Sequence, residues 1–416
     1  MQRAYTRRLH LENTELSETT APSPRIAAEA TAFTVIMAVS VCHLLNDVMQ
    51  SMLAAIYPML KANYGLDFWQ IGLITMMFQV TASLLQPIIG LTTDRRPMPY
   101  SLPVGMGSTF VGLMFLAFGS TYSLLLAGAA FIGLGSAIFH PESSRVARMA
   151  SGGRYGMAQS FFQLGGNLGT ASGPLLGAFI IVPRGQTSIA WFSLAALIGM
   201  IILWQVSGWY SRYRIAAAKR PPVSTALPFA RNKVILALVV LTALTFSKNV
   251  YMASLSSYYT FYVINKFGVS LQDAQLLLFI LLGSAAIGTI IGGPIGDKIG
   301  AKAVIWVSIL GVLPFTLIMP YASLFWTAVL TAIIGMGMAS AFPAIMVMAQ
   351  ELVPGRVGMV AGIFFGFAFG MGGIGAAVLG IIADHQGIEF VYKICSFLPL
   401  LGLLTIFLPD MRDKRT

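Results

Sequence analysis

Charge is what this sequence has least of. Only 10% of its 416 residues are Asp, Glu, Lys or Arg, and the acids number 15. A soluble domain carries about 25% charged residues. With 56% of the chain hydrophobic, one aqueous core cannot be covered. Cysteine is nearly missing too. Cys42 and Cys395 fall in separate apolar runs and read as buried thiols, not as a disulfide or thiolate-metal framework. There is no Ser/His/Asp order in a credible context, no zinc-ligand spacing and no nucleotide-binding loop, since Gly165-Gly166 and Gly372-Gly373 lie inside apolar runs. Enzyme chemistry is therefore not expected, and neither is a cofactor or a bound metal.

What is present is a series of long apolar runs. About 20 apolar residues cross about 30 Å of hydrocarbon as a helix. Twelve such runs occur, at 32–58, 70–91, 101–119, 122–141, 156–182, 188–208, 234–263, 272–292, 303–321, 324–348, 358–382 and 390–409. Helices satisfy their own backbone in lipid, and 42 glycines let them approach closely. The expected fold class is an all-α polytopic membrane protein with twelve transmembrane helices in two six-helix bundles. The expected divisions are a cytoplasmic tail at 1–31, bundles at 32–208 and 234–409, a cytoplasmic linker at 209–233 and a C-terminal tail at 410–416.

Two bundles are expected because the halves repeat. Gly153-Arg154-Tyr155-Gly156-Met157 returns as Gly355-Arg356-Val357-Gly358-Met359, an offset of about 202 that Pro141/Pro343 and Gly173/Gly375 share and Asp94/Asp297 nearly match. An even number of helices per half makes a parallel repeat, whose bundles can rock about a site between them near mid-depth. Basic residues orient the chain. With the N-terminus inside, only Lys61, Arg184 and Lys266 fall in outer loops and only Lys248 and Lys393 within spans; the rest of the 26 Lys and Arg are cytoplasmic. Both termini are thus expected inside. The net charge of +11 then meets anionic lipid and requires no nucleic-acid or obligate protein partner.

Against this background each ionisable residue within a span stands out, because a charge there costs at least about 2.5–3.5 kcal/mol. The first span carries His43, Asn46 and Asp47 on one face. They read as a proton site, or more plainly as a neutral acid tied into a helix–helix hydrogen bond. The seventh span carries Lys248 and Asn249 at the matching depth of the second half. Lys248 can pair with Asp47 or hold an anionic substrate. At the end of the fourth span, His140, Glu142 and Arg145 form a second candidate proton cluster, or a helix end that has reached cytoplasmic water. Gln163 and Asn167 share a face of the fifth span. With Asn46, Tyr251, Ser254 and Tyr258 they are candidate substrate contacts.

Two motifs carry a family resemblance. Gly90-Leu91-Thr92-Thr93-Asp94-Arg95 and the fuller Gly293 to Lys302 stretch, with Asp297, Lys298 and Gly300, resemble the loop signature of the major facilitator superfamily. The acid can sit on a neighbouring helix N-terminus as a latch. Gly169, Gly173, Pro174 and Gly177 resemble the glycine-proline motif of that superfamily's proton antiporters; a generic packing stripe is the plainer reading. Longer runs, from His43 to Asp47, Phe139 to Arg154, Tyr251 to Tyr259 and Phe364 to Gly373, look like bacterial proteins conferring resistance to fosmidomycin, a phosphonate. That resemblance implies a proton-coupled antiporter of the bacterial inner membrane that exports the drug by alternating access. The alternatives are an importer of an anionic metabolite such as a sugar phosphate, and a non-transporting channel or sensor.

Overall fold

The structure is a computed structural model and describes residues 31–218 and 225–411. Most of the expected N-terminal tail, the centre of the linker and residues 412–416 lie outside those residues.

The described chain is helical, with no strand among the described residues. The first half comprises α1 (Phe33–Ala55), α2 (Phe68–Arg95), α3 (Ser101–Phe118), α4 (Tyr122–Ala150), α5 (Tyr155–Leu176) and α6 (Ser193–Ala217). The second comprises α7 (Arg231–Phe267), α8 (Leu271–Ile299), α9 (Ala301–Ile309), α10 (Leu324–Leu352), α11 (Val357–Gln386) and α12 (Ile388–Cys395). The ninth span continues past α9 as Leu313–Ile318, and the twelfth as a 3-10 run, Leu398–Phe407. Among the described residues, eleven helices are long and apolar enough to cross a membrane. The span left out is α5, 22 residues running on into a π turn at Gly177–Ile181. Gln159, Gln163 and Asn167 make it the more polar helix, which suits an interior position.

Several helices outrun the apolar windows. α4 reaches Ala150 instead of ending near 141, and α10 reaches Leu352 with Pro343 inside it. Pro141 does not end its helix. Helix ends leave carbonyls unpaired, so extension keeps the polar stretch from His140 to Arg145 helical and packed inside protein. His140, Glu142 and Arg145 are all buried, so this stretch is not a helix end in water. Large apolar side chains such as Leu84, Val104, Phe179, Trp204, Phe279 and Phe325 are exposed instead, as a lipid-facing surface requires.

Within the first half α1 packs on α5, and α2 and α3 pack on α4. Within the second half α8 packs on α10 and α7 on α11. The halves meet where α2 lies on α11 and α5 lies on α8. Glycine sets the first of these contacts. A Cβ at Gly358, Gly362 or Gly366, one turn apart along α11, would collide with the carbonyls of Gly90, Gln86 and Ser83 or with the Arg145 guanidinium. A Cβ at Gly370, the next residue of that stripe, meets nothing within 4 Å. The halves are therefore pressed together at the end bearing the α2–α3 and α10–α11 turns, and diverge towards the other. Gly300, with φ 93°, makes the turn from α8 to α9 at the sealed end, a conformation side chains with a Cβ rarely adopt.

Gly362→Leu should leave the protein folded in the membrane yet keep the α2–α11 contact from closing. Transport should fall about ten-fold or more, the equivalent of about 1.4 kcal/mol against the sealed state. Wild-type transport by this variant would show that the contact is not used.

Candidate functional site

The sealed end is held by a duplicated interaction. The Asp94 carboxylate, on the last turn of α2, accepts the backbone N–H groups of Gly358 (3.0 Å) and Met359 (2.8 Å) at the start of α11. The Asp297 carboxylate, on the last turns of α8, accepts those of Gly156 (2.8 Å) and Met157 (2.9 Å) at the start of α5. Helix N-termini carry unpaired amides and partial positive charge, so each acid meets donors already aimed at it. Gly90 and Gly293 allow the approach, since a Cβ on either would overlap the carbonyl of Gly358 or Gly156. Arg95 and Lys298, beside the two acids, are exposed.

The two latches are not equal. Arg145 donates to Asp94 (2.5 Å), to Glu142 (2.6 Å), to Thr93 Oγ1 (3.0 Å) and to the Gly90 carbonyl (3.3 Å). Its carboxylate partners are buried with it. The second half has Ala344 and Val347 at the corresponding places, so the Glu142–Arg145 pair is not repeated there. A polar chain joins α4, α5 and α10 nearby: Gln350 donates to Ser144 (3.1 Å), which donates to Gln159 (3.2 Å).

The second cluster lies further from the sealed end. His43 and Asp47 of α1 meet His140 of α4. His43 Nε2 is 3.2 Å from His140 Nε2 and 3.4 Å from Asp47 Oδ2, and His140 Nε2 is 3.5 Å from Asp47 Oδ1. Asn46 (3.0 Å), Gln50 (3.4 Å) and Thr170 (3.4 Å) also donate to the carboxylate. Both rings are anchored from behind. His43 Nδ1 donates to the Phe162 carbonyl (2.8 Å), and His140 Nδ1 to the Ser136 carbonyl (2.9 Å). Helix α5 makes room for this: Gly166 lies against the His43 ring, Gly169 against Leu44 and Asp47, and Gly173 against Val48 and Ser51. The glycine stripe of the glycine-proline motif is thus the packing face of α5 on α1 within one half. Pro174 lies in the last turn of that helix and Gly177 starts its π turn.

Aromatic rings from the second half cover the cluster. Phe369 and Phe365 of α11 lie 5.0 and 5.1 Å from the His140 ring, centroid to centroid, and Phe162 stacks on His43 at 4.2 Å. His43, Asp47 and His140 are 1%, 5% and 0% exposed. Such a set of atoms can hold a proton or another small cation. Here the structure regroups the two clusters expected from the sequence. His140 joins His43 and Asp47, while Glu142 and Arg145 join the latch. Spacing along α4 could not separate them, because His140 and Glu142 turn to different neighbours.

Lys248 does not pair with Asp47. Among the described residues it has no carboxylate within 4.0 Å; its ammonium lies 5.1 Å above the Phe342 ring and 3.4 Å from Asn249 Oδ1. Asp47 is instead engaged by the two histidines. Asn249 Nδ2 and Gln163 Oε1 are buried with no hydrogen-bond partner among the described residues. Asn249 was noted only for its depth, and its unpaired amide is the signal that sequence cannot give. Asn167 crosses between halves to Thr289 (3.1 Å), and Tyr258 donates to the Ala376 carbonyl (2.7 Å). Tyr251 and Ser254 are buried inside the second bundle, where Tyr392 bonds the Ser254 carbonyl and stacks on Tyr262. They do not line a cleft.

Two helical bundles that close at one end, part at the other and bury ionisable groups at their junction define a multi-pass membrane transporter, not an enzyme. The chain belongs to the Major Facilitator Superfamily, whose model matches residues 39–365 and 242–416. It is 61% identical over 384 residues to the fosmidomycin resistance protein of Escherichia coli (strain K12), covering 92% of this chain and 95% of that protein. It is 38% identical over 391 residues to the uncharacterized MFS-type transporter YfnC of Bacillus subtilis (strain 168), with the same coverage. The crystal structure of the human organic anion transporter MFSD10 (TETRAN) superposes with TM-score 0.72 at 18% identity, over 91% of this chain and 100% of that one. The all-helical fold and the family read from the sequence both hold.

The inequality of the latches is testable. Asp94→Ala strands a buried arginine beside one remaining acid, and breaking a buried pair costs about 3–5 kcal/mol. Asp94→Ala also loses its bonds to two amides, each worth about 1.5–3 kcal/mol, a loss that Asp297→Ala shares without stranding Arg145. Spin-label distances across the sealed end should widen more for Asp94→Ala. Equal widening would assign Arg145 no part in the latch.

Proposed function

We propose that the chain is a proton-coupled exporter of an anionic, phosphonate-type drug, fosmidomycin among its substrates. It works by alternating access in a bacterial inner membrane with both termini cytoplasmic. One observation carries this reading: a carboxylate and two histidines are buried beneath rings of the other half, while contacts between the halves close one end of the molecule. The basic-residue bias makes the sealed end cytoplasmic. The state described is therefore the outward-opening one, in which a proton is taken up and drug has left.

The parts have separate tasks. Asp94 with Arg145, and Asp297 with the start of α5, hold the inner side shut. When they release, α11 withdraws Phe365 and Phe369 from His140 and exposes the cluster to the cytoplasm. A proton crossing inward releases about 2.3 kcal/mol per 100 mV of membrane potential. Coupling requires that drug and proton not be bound freely together. Lys248, free of a carboxylate among the described residues, can meet the drug's negative charge; Asn249 and Gln163 can complete its hydrogen bonds. The relative's name supports the drug class, and the lysine supports its charge.

Counterflow and uphill uptake of labelled fosmidomycin in inverted proteoliposomes, with and without an imposed pH gradient, test the reading. Asp47→Asn should abolish gradient-driven uptake. Lys248→Ala should weaken drug binding about ten-fold or more, the loss of one charge-assisted contact. Full gradient-driven uptake by Asp47→Asn would sink the proton assignment. Unchanged binding by Lys248→Ala would sink the cation site.

A further inference from the structure

The two histidines pose a problem of hydrogen count. A neutral imidazole has one N–H donor and one bare nitrogen. His43 Nδ1 faces the Phe162 carbonyl at 2.8 Å, and His140 Nδ1 faces the Ser136 carbonyl at 2.9 Å. His140 Nδ1 also lies 3.2 Å from the Ser136 hydroxyl, which can turn its hydrogen away, whereas the nearer carbonyl only accepts; both Nδ1 atoms therefore carry their hydrogens. In neutral rings both Nε2 atoms would then be bare. Yet they face one another at 3.2 Å, closer than either lies to Asp47, and each faces an Asp47 oxygen at 3.4 or 3.5 Å. Four acceptors would converge with no donor among them.

We propose that His43 and His140 share one proton between their Nε2 atoms, with the Asp47 carboxylate as its counter-ion, and that this pair is the proton carrier of the cycle. The inference rests on the proton-exchange reading above and names the carrier within it. A proton on Asp47 alone would satisfy one nitrogen and leave the Nε2–Nε2 approach unexplained. One shared proton explains every short distance at once.

Charge balance sets the number. Among the described residues, the neighbouring elements bring no further charge to the pair. Helix α5 offers Phe162 and Thr170, and α11 offers the Phe365 and Phe369 rings. Lys248 of α7 is held over Phe342, which separates it from Phe365. Asp47 also receives Asn46 and Gln50, both uncharged. With one proton the cluster is neutral. With none it carries a negative charge and with two a positive one, and either is costly where water is excluded. The loaded site therefore holds a single proton. Both histidines belong to the first half, so rocking of the halves does not part them. What changes is the aromatic cover from α11.

Nitrogen-15 NMR of histidine-labelled full-length protein in lipid nanodiscs tests this. The chain has four histidines, so His43→Gln and His140→Gln assign the pair. In mildly alkaline buffer the two rings should share one imidazolium-type proton. In His140→Gln, the imidazolium-type signal should be lost from the His43 ring. Two neutral rings in that buffer, in protein whose uptake still follows the pH gradient, would overturn the shared proton and leave the exporter reading standing. A spectrum that changes on adding a chelator would put a metal between the rings and would overturn it too. Wild-type uptake indifferent to the gradient would remove the proton reading itself.

Discussion

A charge withdrawn from water must find its counterpart inside the protein, and in this chain that need fixes which helices can touch. The charged groups of the interior are few, and each has an assigned partner. Asp94 and Asp297 take the amides that begin α11 and α5. Glu142 takes Arg145, and Asp47 takes two histidines. Lys248 has only a ring and an amide oxygen. The first two acids reach across the boundary between the halves, so their satisfaction depends on the state of the transporter. Asp47 finds its histidine partners within one half. The contacts between the halves and the buried histidine cluster are thereby given to different acids.

Duplication explains how the latch arose and why it is lopsided. Each half supplies an acid on its second helix and a helix N-terminus on its fifth, and each acid uses the other half's terminus. Two copies of one arrangement thus close a single end twice. The first half then adds Glu142 and Arg145, and the second keeps Ala344 and Val347 in those places. A buried arginine bridging two acids thus reinforces the α2–α11 seam. That seam also carries the α11 rings that cover His140.

Much of this was legible in the sequence. The helix count, the family, the internal repeat and nearly all the ionisable residues of the site follow from apolar run length and from the rarity of charge in lipid. The Gly-Arg-x-Gly-Met repeat and the acids Asp94 and Asp297 were both visible. That each acid binds the other half's repeat was not, because the pairing is between chain segments some 140 and 265 residues apart. The fourth helix misled in a different way. Its apolar window stops at Pro141, so His140, Glu142 and Arg145 looked like one cluster at a wet end. Packing on α1, α2 and α11 carries the helix further and divides that cluster between two tasks. Ser254 shows the reverse limit, since a polar residue in a membrane helix can be satisfied inside its own bundle, here on the Tyr251 carbonyl.

The position of Lys248 constrains how drug and proton exclude one another. Had it paired with Asp47, an arriving anion would have broken the pair, and exchange would be direct competition at one site. Instead a run of rings, Phe342 then Phe365, stands between the ammonium and the histidines. A cation over a ring is held by only about 0.5–2 kcal/mol, so an anion can claim Lys248 without a salt bridge being broken first. Phe365, together with Phe369, packs on His140 with α11 docked against α2. In the proposed exchange, binding at Lys248 and cover over the histidines would act on one aromatic layer, and exclusion between drug and proton would follow from the shape of that layer, not from shared ligands. Phe342 and Phe365, uncharged and unremarkable in the sequence, are the residues through which the two halves of the exchange meet.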